Sequence, residues 1–418
     1  MYLNNLFLNR FFWLSLLAVI FIGISDTKGQ SFQTAASWSL VEYGNRISAL
    51  GQSSAVLDNR MAFSPNPAVP SENGILTFSS FLFASSPIQT LRGDKPVLYN
   101  PAISYGAGRW SFSGKLDYER WGSVVELRDE ANNFLGERRL SSDTRIVRFN
   151  LSREIGNQFY LGLGISHIND QRQLELSYYY HIGEIGSANA GNALMFSAGL
   201  YYNDSFPVSW IILRPQFGLA LTDIGGALNY DFNSQFLPER LQLTTPGQLR
   251  SNFGLDVVTR KIVAGQRFAK VGIYLGLNKY MSGLVQSDDG EKLYTGLSMI
   301  TGTWGNIERY SGQFTTTYTL SDQISTSYGF EIGLLETLFF QLGRISGADM
   351  WIRPQRAFGI RLNLEFFSLS YNKFTRRQTE WEIFDDMTTA VWNIDLRVPV
   401  TGSLRPTVLN RLVKWLSE

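Results

Sequence analysis

The sequence predicts a transmembrane antiparallel β-barrel, on three observations. First, apolar and polar residues alternate repeatedly in segments of about ten residues, the length of a tilted strand that crosses a bilayer. Second, the 418 residues are 14% aromatic and only 17% charged, against about 25% charged in ordinary soluble domains. Third, the chain opens like an exported protein. Met1 to Arg10 is polar, and Phe11 to Ile24 is an apolar run that suits a signal peptide and falls short of a membrane-spanning helix. Cleavage before Gln30, after Thr27 and Gly29, would remove residues 1–29; a retained membrane anchor is the alternative.

The alternation is specific about faces. In Trp110 to Glu119, Trp110, Phe112, Gly114, Leu116 and Tyr118 fall on one side, and Ser111, Ser113, Lys115, Asp117 and Glu119 on the other. Gln158 to His167 sets Phe159, Leu161, Leu163 and Ile165 against Tyr160, Gly162, Gly164 and Ser166. Val271–Leu277, Phe314–Leu320, Tyr328–Ile332, Phe358–Phe366 and Ala390–Val398 read the same way. In Phe358–Phe366 the expectation is Phe358, Ile360, Leu362 and Leu364 toward lipid, with Arg361, Asn363 and Glu365 toward the lumen. A soluble β-sandwich also alternates. The barrel is favoured because the apolar faces are rich in Phe, Tyr and Trp, and because a closed sheet is the β arrangement that leaves no unpaired backbone in hydrocarbon.

Several classes are excluded. No run of 18 apolar residues follows Gln30, so the chain is not a helical membrane protein. A formal net charge of +1 is too small for a nucleic-acid partner. There is no cysteine, hence no disulfide or thiolate metal site. His167 and His181 stand too far apart for a zinc helix motif, and neither a nucleophile elbow nor a phosphate-binding loop is present. Asp288-Asp289-Gly290 and Asp385-Asp386 read as turns rather than calcium loops. The expectation is a non-enzyme without cofactor or metal.

Organisation along the chain follows: 1–29 signal peptide, 30–75 an N-terminal lumen or plug segment, 76–398 the barrel, and 399–418 a periplasmic tail. Ser31–Ser71 lacks alternation and carries Gly44, Gly51, Pro65, Pro67 and Pro70, so it reads as irregular structure that lines the lumen or as a flexible periplasmic arm. In the tail, Leu409, Leu412 and Leu416 recur at helical spacing, as a docked stopper or as anchors for a partner. Trp381, between Arg376-Arg377 and Glu380 and Glu382, marks a solvated hairpin or a partner contact.

The stretch Gly44-Asn45-Arg46-Ile47-Ser48-Ala49-Leu50-Gly51, followed by Asn66-Pro67-Ala68, resembles the N-terminal signature of the PorV and PorQ family of outer-membrane proteins, within the FadL-like barrel class. Trp121-Gly122 through Gly136, Ala190 through Asn203, Leu219 through Gly226, Gly329 through Arg344 and Phe358 to Tyr371 are similar to later segments of that family. The resemblance implies a 14-stranded barrel with its N-terminal segment folded into the lumen. It also implies a component of type IX secretion in Bacteroidota, in contact with outer-membrane lipid, that accepts the C-terminal signal domains of cargo at the translocon and passes them to the surface attachment machinery. The wider FadL-like class implies instead a passive channel for hydrophobic small molecules. Under either, Gly44, Gly51, Asn66, Pro67 and Ala68 belong to the lumen segment, and Trp381, Leu409, Leu412 and Leu416 to partner contacts.

Overall fold

The computed structural model describes residues 46–50, 62–85, 97–128, 134–171, 173–175, 185–187, 191–231, 240–263, 266–281, 284–287, 290–293, 295–305, 307–311, 314–347, 355–376 and 387–401. Fourteen of its strands form one closed ring. They are β1 (Ile75–Ser85), β2 (Ala102–Ala107), β3 (Trp110–Arg128), β4 (Phe134–Gly156), β5 (Phe159–Gln171), β6 (Gly191–Asn203), β7 (Ile211–Gly225), β8 (Gln248–Thr259), β9 (Ala269–Tyr280), β10 (Ile324–Leu334), β11 (Leu338–Gly347), β12 (Gln355–Asn363), β13 (Phe367–Arg376) and β14 (Met387–Pro399). Each pairs antiparallel with its neighbours in sequence, and β14 returns to β1, from Ile75↔Pro399 to Ser85↔Ala390. Two short strands, Val97–Tyr99 and Phe206–Val208, pair onto β3 and β7 respectively without entering the ring.

The faces follow from what each side touches. Outward side chains are apolar and exposed: Phe112, Phe149, Leu163, Ile165, Phe196, Phe253, Ile273, Phe330 and Leu342 among them. Inward ones are polar and buried: Lys115, Asp117, Arg148, Asp170, Arg250, Asp256, Glu331 and Arg361. This inversion of a soluble protein's pattern is what hydrocarbon on the outside and a hydrated interior select.

β4 shows where the lipid band sits. Its outward residues Val147, Phe149 and Leu151 lie between Arg145 and Arg153, and each arginine stacks on an aromatic ring of β3. The Arg145 guanidinium is 5.5 Å from the Tyr118 ring centre and that of Arg153 is 4.8 Å from Trp110. The span between these two arginines matches the ~9–11 residues that a tilted strand needs to cross. Cationic and aromatic groups at both rims match the interfacial girdles of membrane barrels.

The ends differ. Turns at the end holding Ile75 and Pro399 are short, as at Gly108-Arg109 and Leu335–Thr337, whereas the opposite end carries long connections, including 281–323 between β9 and β10. An even strand count puts both barrel ends of the chain on the short-turn side, the periplasmic side in such barrels.

Three sequence expectations need correction. Phe314–Leu320 is not a wall strand. Phe314–Tyr318 pairs only with Ile307–Ser311 in a hairpin outside the ring, and Leu320–Gln323 is a 3-10 turn; alternation shows an amphipathic strand but not its partner. In Phe358–Phe366 the faces of Phe358, Arg361 and Asn363 are as expected, but β12 ends at Asn363. Leu364, Glu365 and Phe366 make the turn to β13, closed by Leu364 N–H donating to Phe367 O at 2.8 Å, so Glu365 is a turn residue and not part of the strand's alternation. Ser31–Ser71 is not wholly irregular, because Arg46–Ala49 forms one helical turn, α1.

Candidate functional site: a plugged lumen and a break in its wall

The lumen is filled from the N-terminal side of the chain. α1 is buried against inward residues of β9, β10 and β12. Arg46 donates through Nε and Nη2 to both oxygens of Glu331 at 2.9 and 2.8 Å and through Nη2 to the Tyr274 hydroxyl at 2.5 Å. Its guanidinium also lies 5.3 Å from the Tyr274 ring centre. Glu331 further accepts from Lys270 Nζ at 3.0 Å and Gln341 Nε2 at 2.5 Å, with Arg361 at 3.7 Å. Tyr274 donates to Asp256, which also takes Lys270 at 2.7 Å. The cluster therefore holds three cations and two carboxylates, all buried except Lys270, which is partly exposed. Without Arg46 the wall's own residues would balance, two against two.

The second part of the segment, Ala62–Glu72, is seated by shape and by neutral hydrogen bonds, with one ion pair at its end, from Arg397 to Glu72. Asn66 Nδ2 donates to Leu200 O at 3.0 Å, and its Oδ1 accepts from Ala68 N–H at 3.0 Å, the local turn that an Asn before Pro favours. Asn150 Nδ2 donates to Ser64 O at 3.0 Å. Pro67 lies so close to Gly162 that a Cβ there would stand 2.2 Å from its carbonyl carbon, and one at Gly199 would stand 2.0 Å from Asn66 Oδ1. Only residues without a side chain leave room for this backbone. The expected result for Gly199→Val is a folded barrel with Asn66–Ala68 displaced, read as faster proteolysis of the N-terminal segment in detergent; unchanged cleavage would contradict this seating. At the opposite mouth the hairpin Ala227–Asp231 with Arg240–Thr244 tucks in, its Tyr230 hydroxyl donating to Asp170 at 2.5 Å.

The pairing of the ring is shortest between β1 and β2. β1 pairs with β2 only from Leu76↔Tyr105 to Ser79↔Ala102, and beyond Ser79 it has no partner on that side among the described residues. The preceding strand Val97–Tyr99 pairs with β3 in the same register as β2, from Val97↔Arg120 through Tyr99↔Tyr118 to Ala102↔Lys115, so Asn100-Pro101 marks where the pairing to β1 has ended and that to β3 continues. Pro101 has no N–H to give to the ladder with β3, which interrupts the strand at this point. Pro101 O still accepts from Leu116 N–H at 2.9 Å.

Two hollows lie near this break, a groove outside that reaches Ile103 and a cavity inside at Ser79, Asn100 and Ala102. Outside, a groove of about 580 Å³ runs across β1 to β6 between two rows of outward side chains, among them Leu76, Ile103, Phe112, Phe149, Leu163 and Phe196. Gly114 lies in its floor, with Phe149 as neighbour. Inside, a small cavity is bounded by Ala62 and Phe63 of the plug and by Ser79, Asn100, Ala102, Lys115, Asn393 and Asp395 of the wall. The Lys115 ammonium lies 5.6 Å from the Phe63 ring centre.

The expected site residues thus fare unequally. Asn66, Pro67 and Ala68 are together inside the barrel, and Gly162 and Gly199 are their seats. Residues 1–29, Gly44, Gly51, Trp381, Leu409, Leu412 and Leu416 lie outside the described residues, as do His181 and Asp385-Asp386. His167 is exposed on the outward face of β5. Sequence reasoning passed over Glu331, which alternation places inward but does not link to Arg46, and Asn100-Pro101, where the Asn-Pro pair beside an alternating run was the available signal.

The fold and the filled lumen define a transmembrane β-barrel with an internal N-terminal plug. No protein-family model matches the chain, and no curated protein is similar to it in sequence. Among solved structures it is similar to the Ralstonia pickettii toluene transporter TbuX, at 10% identity over 86% of this chain and 98% of that one with a TM-score of 0.42. The Pseudomonas putida toluene transporter TodX gives 10% identity, 89% and 99% coverage and 0.43. A Pseudomonas aeruginosa FadL homologue gives 10%, 89% and 100%, and 0.42.

Proposed function

We propose that this chain is an outer-membrane channel that passes small apolar molecules through its wall, between the bilayer and the lumen, without catalysing any reaction. The observation that carries the reading is the end of the β1–β2 pairing at Ser79 and Ala102, with an apolar groove reaching Ile103 on the lipid side and a small cavity at Ser79, Asn100 and Ala102 on the lumen side. A straight path down the axis is unsuited to apolar solutes, because it meets the buried Arg46–Glu331 cluster and the plug. A path from the groove past Ser79 and Asn100 avoids that cluster. The secretion role implied by the motifs has no comparable support, since Trp381, Leu409, Leu412 and Leu416 lie outside the described residues.

The test is uptake of labelled ethylbenzene by cells whose asymmetric outer membrane is intact, with and without the protein. Uptake should depend on the protein, and Gly114→Leu, which puts a side chain into the groove floor, should lower it while the barrel still assembles. Uptake independent of the protein would end this reading.

A further inference from the structure

We propose that the inner mouth of the wall break beside Ser79 selects by charge, favouring apolar molecules with a cationic head over those with a carboxylate; this deepens the channel reading above and rests on it. The selecting residue is Asp395, with Asn100 beside it.

Asp395 stands on the inward face of β14, opposite Ser79, the last residue through which β1 pairs with β2. Among the described residues its carboxylate accepts hydrogen bonds from neutral groups alone: Ser368 Oγ donates to Oδ2 at 2.7 Å and Asn393 Nδ2 to Oδ1 at 3.1 Å. The bases in this region are committed elsewhere. Lys115, which lines the same cavity, holds Asp117 at 2.9 Å. Arg148 bridges Asp117 and Asp223, the latter at 3.1 Å. Arg397, two residues along β14, is paired with Glu72 of the plug. Three cations and three carboxylates are thereby matched, and Asp395 is the surplus negative charge at the cavity.

Asn100 adds to the same sign. Its Oδ1 is buried at the cavity and receives no hydrogen bond, so a carbonyl dipole presents its negative end without a donor. A solute entering from the groove brings its apolar part past Ile103 and Phe63 and its head past Asp395 and Asn100. In a partly desolvated site a like charge a few ångströms away opposes entry strongly, while an opposite charge is drawn in.

The experiment compares two phenyl probes of opposite charge, trimethyl(2-phenylethyl)ammonium and 3-phenylpropionate, crossing proteoliposomes that contain the full chain, with the protein-free rate subtracted. The ammonium probe should cross at least about tenfold faster, which corresponds to about 1.4 kcal/mol. Asp395→Asn keeps shape and should bring the ratio near one, and Asp395→Glu should keep the preference. Unchanged circular dichroism and unchanged heat-modifiable migration on gels certify that each variant is a folded barrel. Equal rates for both probes, faster passage of the carboxylate, passage of neither, or an unchanged ratio in folded Asp395→Asn would each overturn the proposal. If ethylbenzene uptake still depends on the protein in those cases, the channel reading stands and the charge selection alone falls; if it does not, both fall.

Discussion

Glu331→Ala is expected to destabilise the barrel by about 3–5 kcal/mol, the cost of stripping the partner from buried charges, whereas Arg46→Ala should cost far less. The asymmetry comes from the count of charges. Loss of Glu331 leaves Arg46, Lys270 and Arg361 around the single carboxylate of Asp256. Loss of Arg46 leaves Lys270 and Arg361 with Glu331 and Asp256, and Gln341 still donates to Glu331. Urea unfolding in lipid vesicles would measure both. Equal penalties would mean that the plug contact, not the wall's own pairing, stabilises this side of the barrel.

Arginine placed on the outer wall should show a cost that depends on depth. Phe149→Arg, midway between the stacked Arg145 and Arg153 on β4, is expected to cost about 2–4 kcal/mol, the price of a cation near the bilayer midplane. Ile155→Arg, two residues beyond Arg153 at the turn, should cost about 0–1 kcal/mol because its charge reaches the headgroups. The same unfolding assay reads both. A flat profile would mean that the band between the two cation–aromatic pairs is not where lipid sits.

The wall was legible in the sequence because its two solvents differ so sharply. Trp110, Phe112 and Leu116 against Ser111, Lys115 and Asp117 can be assigned to faces from alternation alone, and in the structure they occupy those faces. Alternation is a property of one strand, so it misplaced Phe314–Tyr318, which pairs with a strand off the ring, and carried β12 through the turn at Glu365. The contents of the lumen were legible only in kind. Asn66-Pro67 signals a turn by itself, but the seats it needs, Gly162 and Gly199, are ordinary strand glycines until the chain is folded. Arg46 and Glu331 are 285 residues apart, and no local rule joins them. Asp395 is one inward acid among several in sequence; it becomes distinctive only when Lys115, Arg148 and Arg397 are seen to be occupied.

The seam between β1 and β14 constrains the order in which this molecule can be built. Ile75 must find Pro399 across nearly the whole chain, so ring closure awaits the last strand and bears the greatest loop entropy of any pairing in the wall. Until then the growing sheet has two open edges that invite association with other chains. The plug segment precedes every wall strand in the sequence and ends up enclosed by them. It is synthesised first, and the sheet can curl around Arg46 and Asn66 as successive strands arrive, with Glu331, Gly162 and Gly199 as the points where wall and template meet.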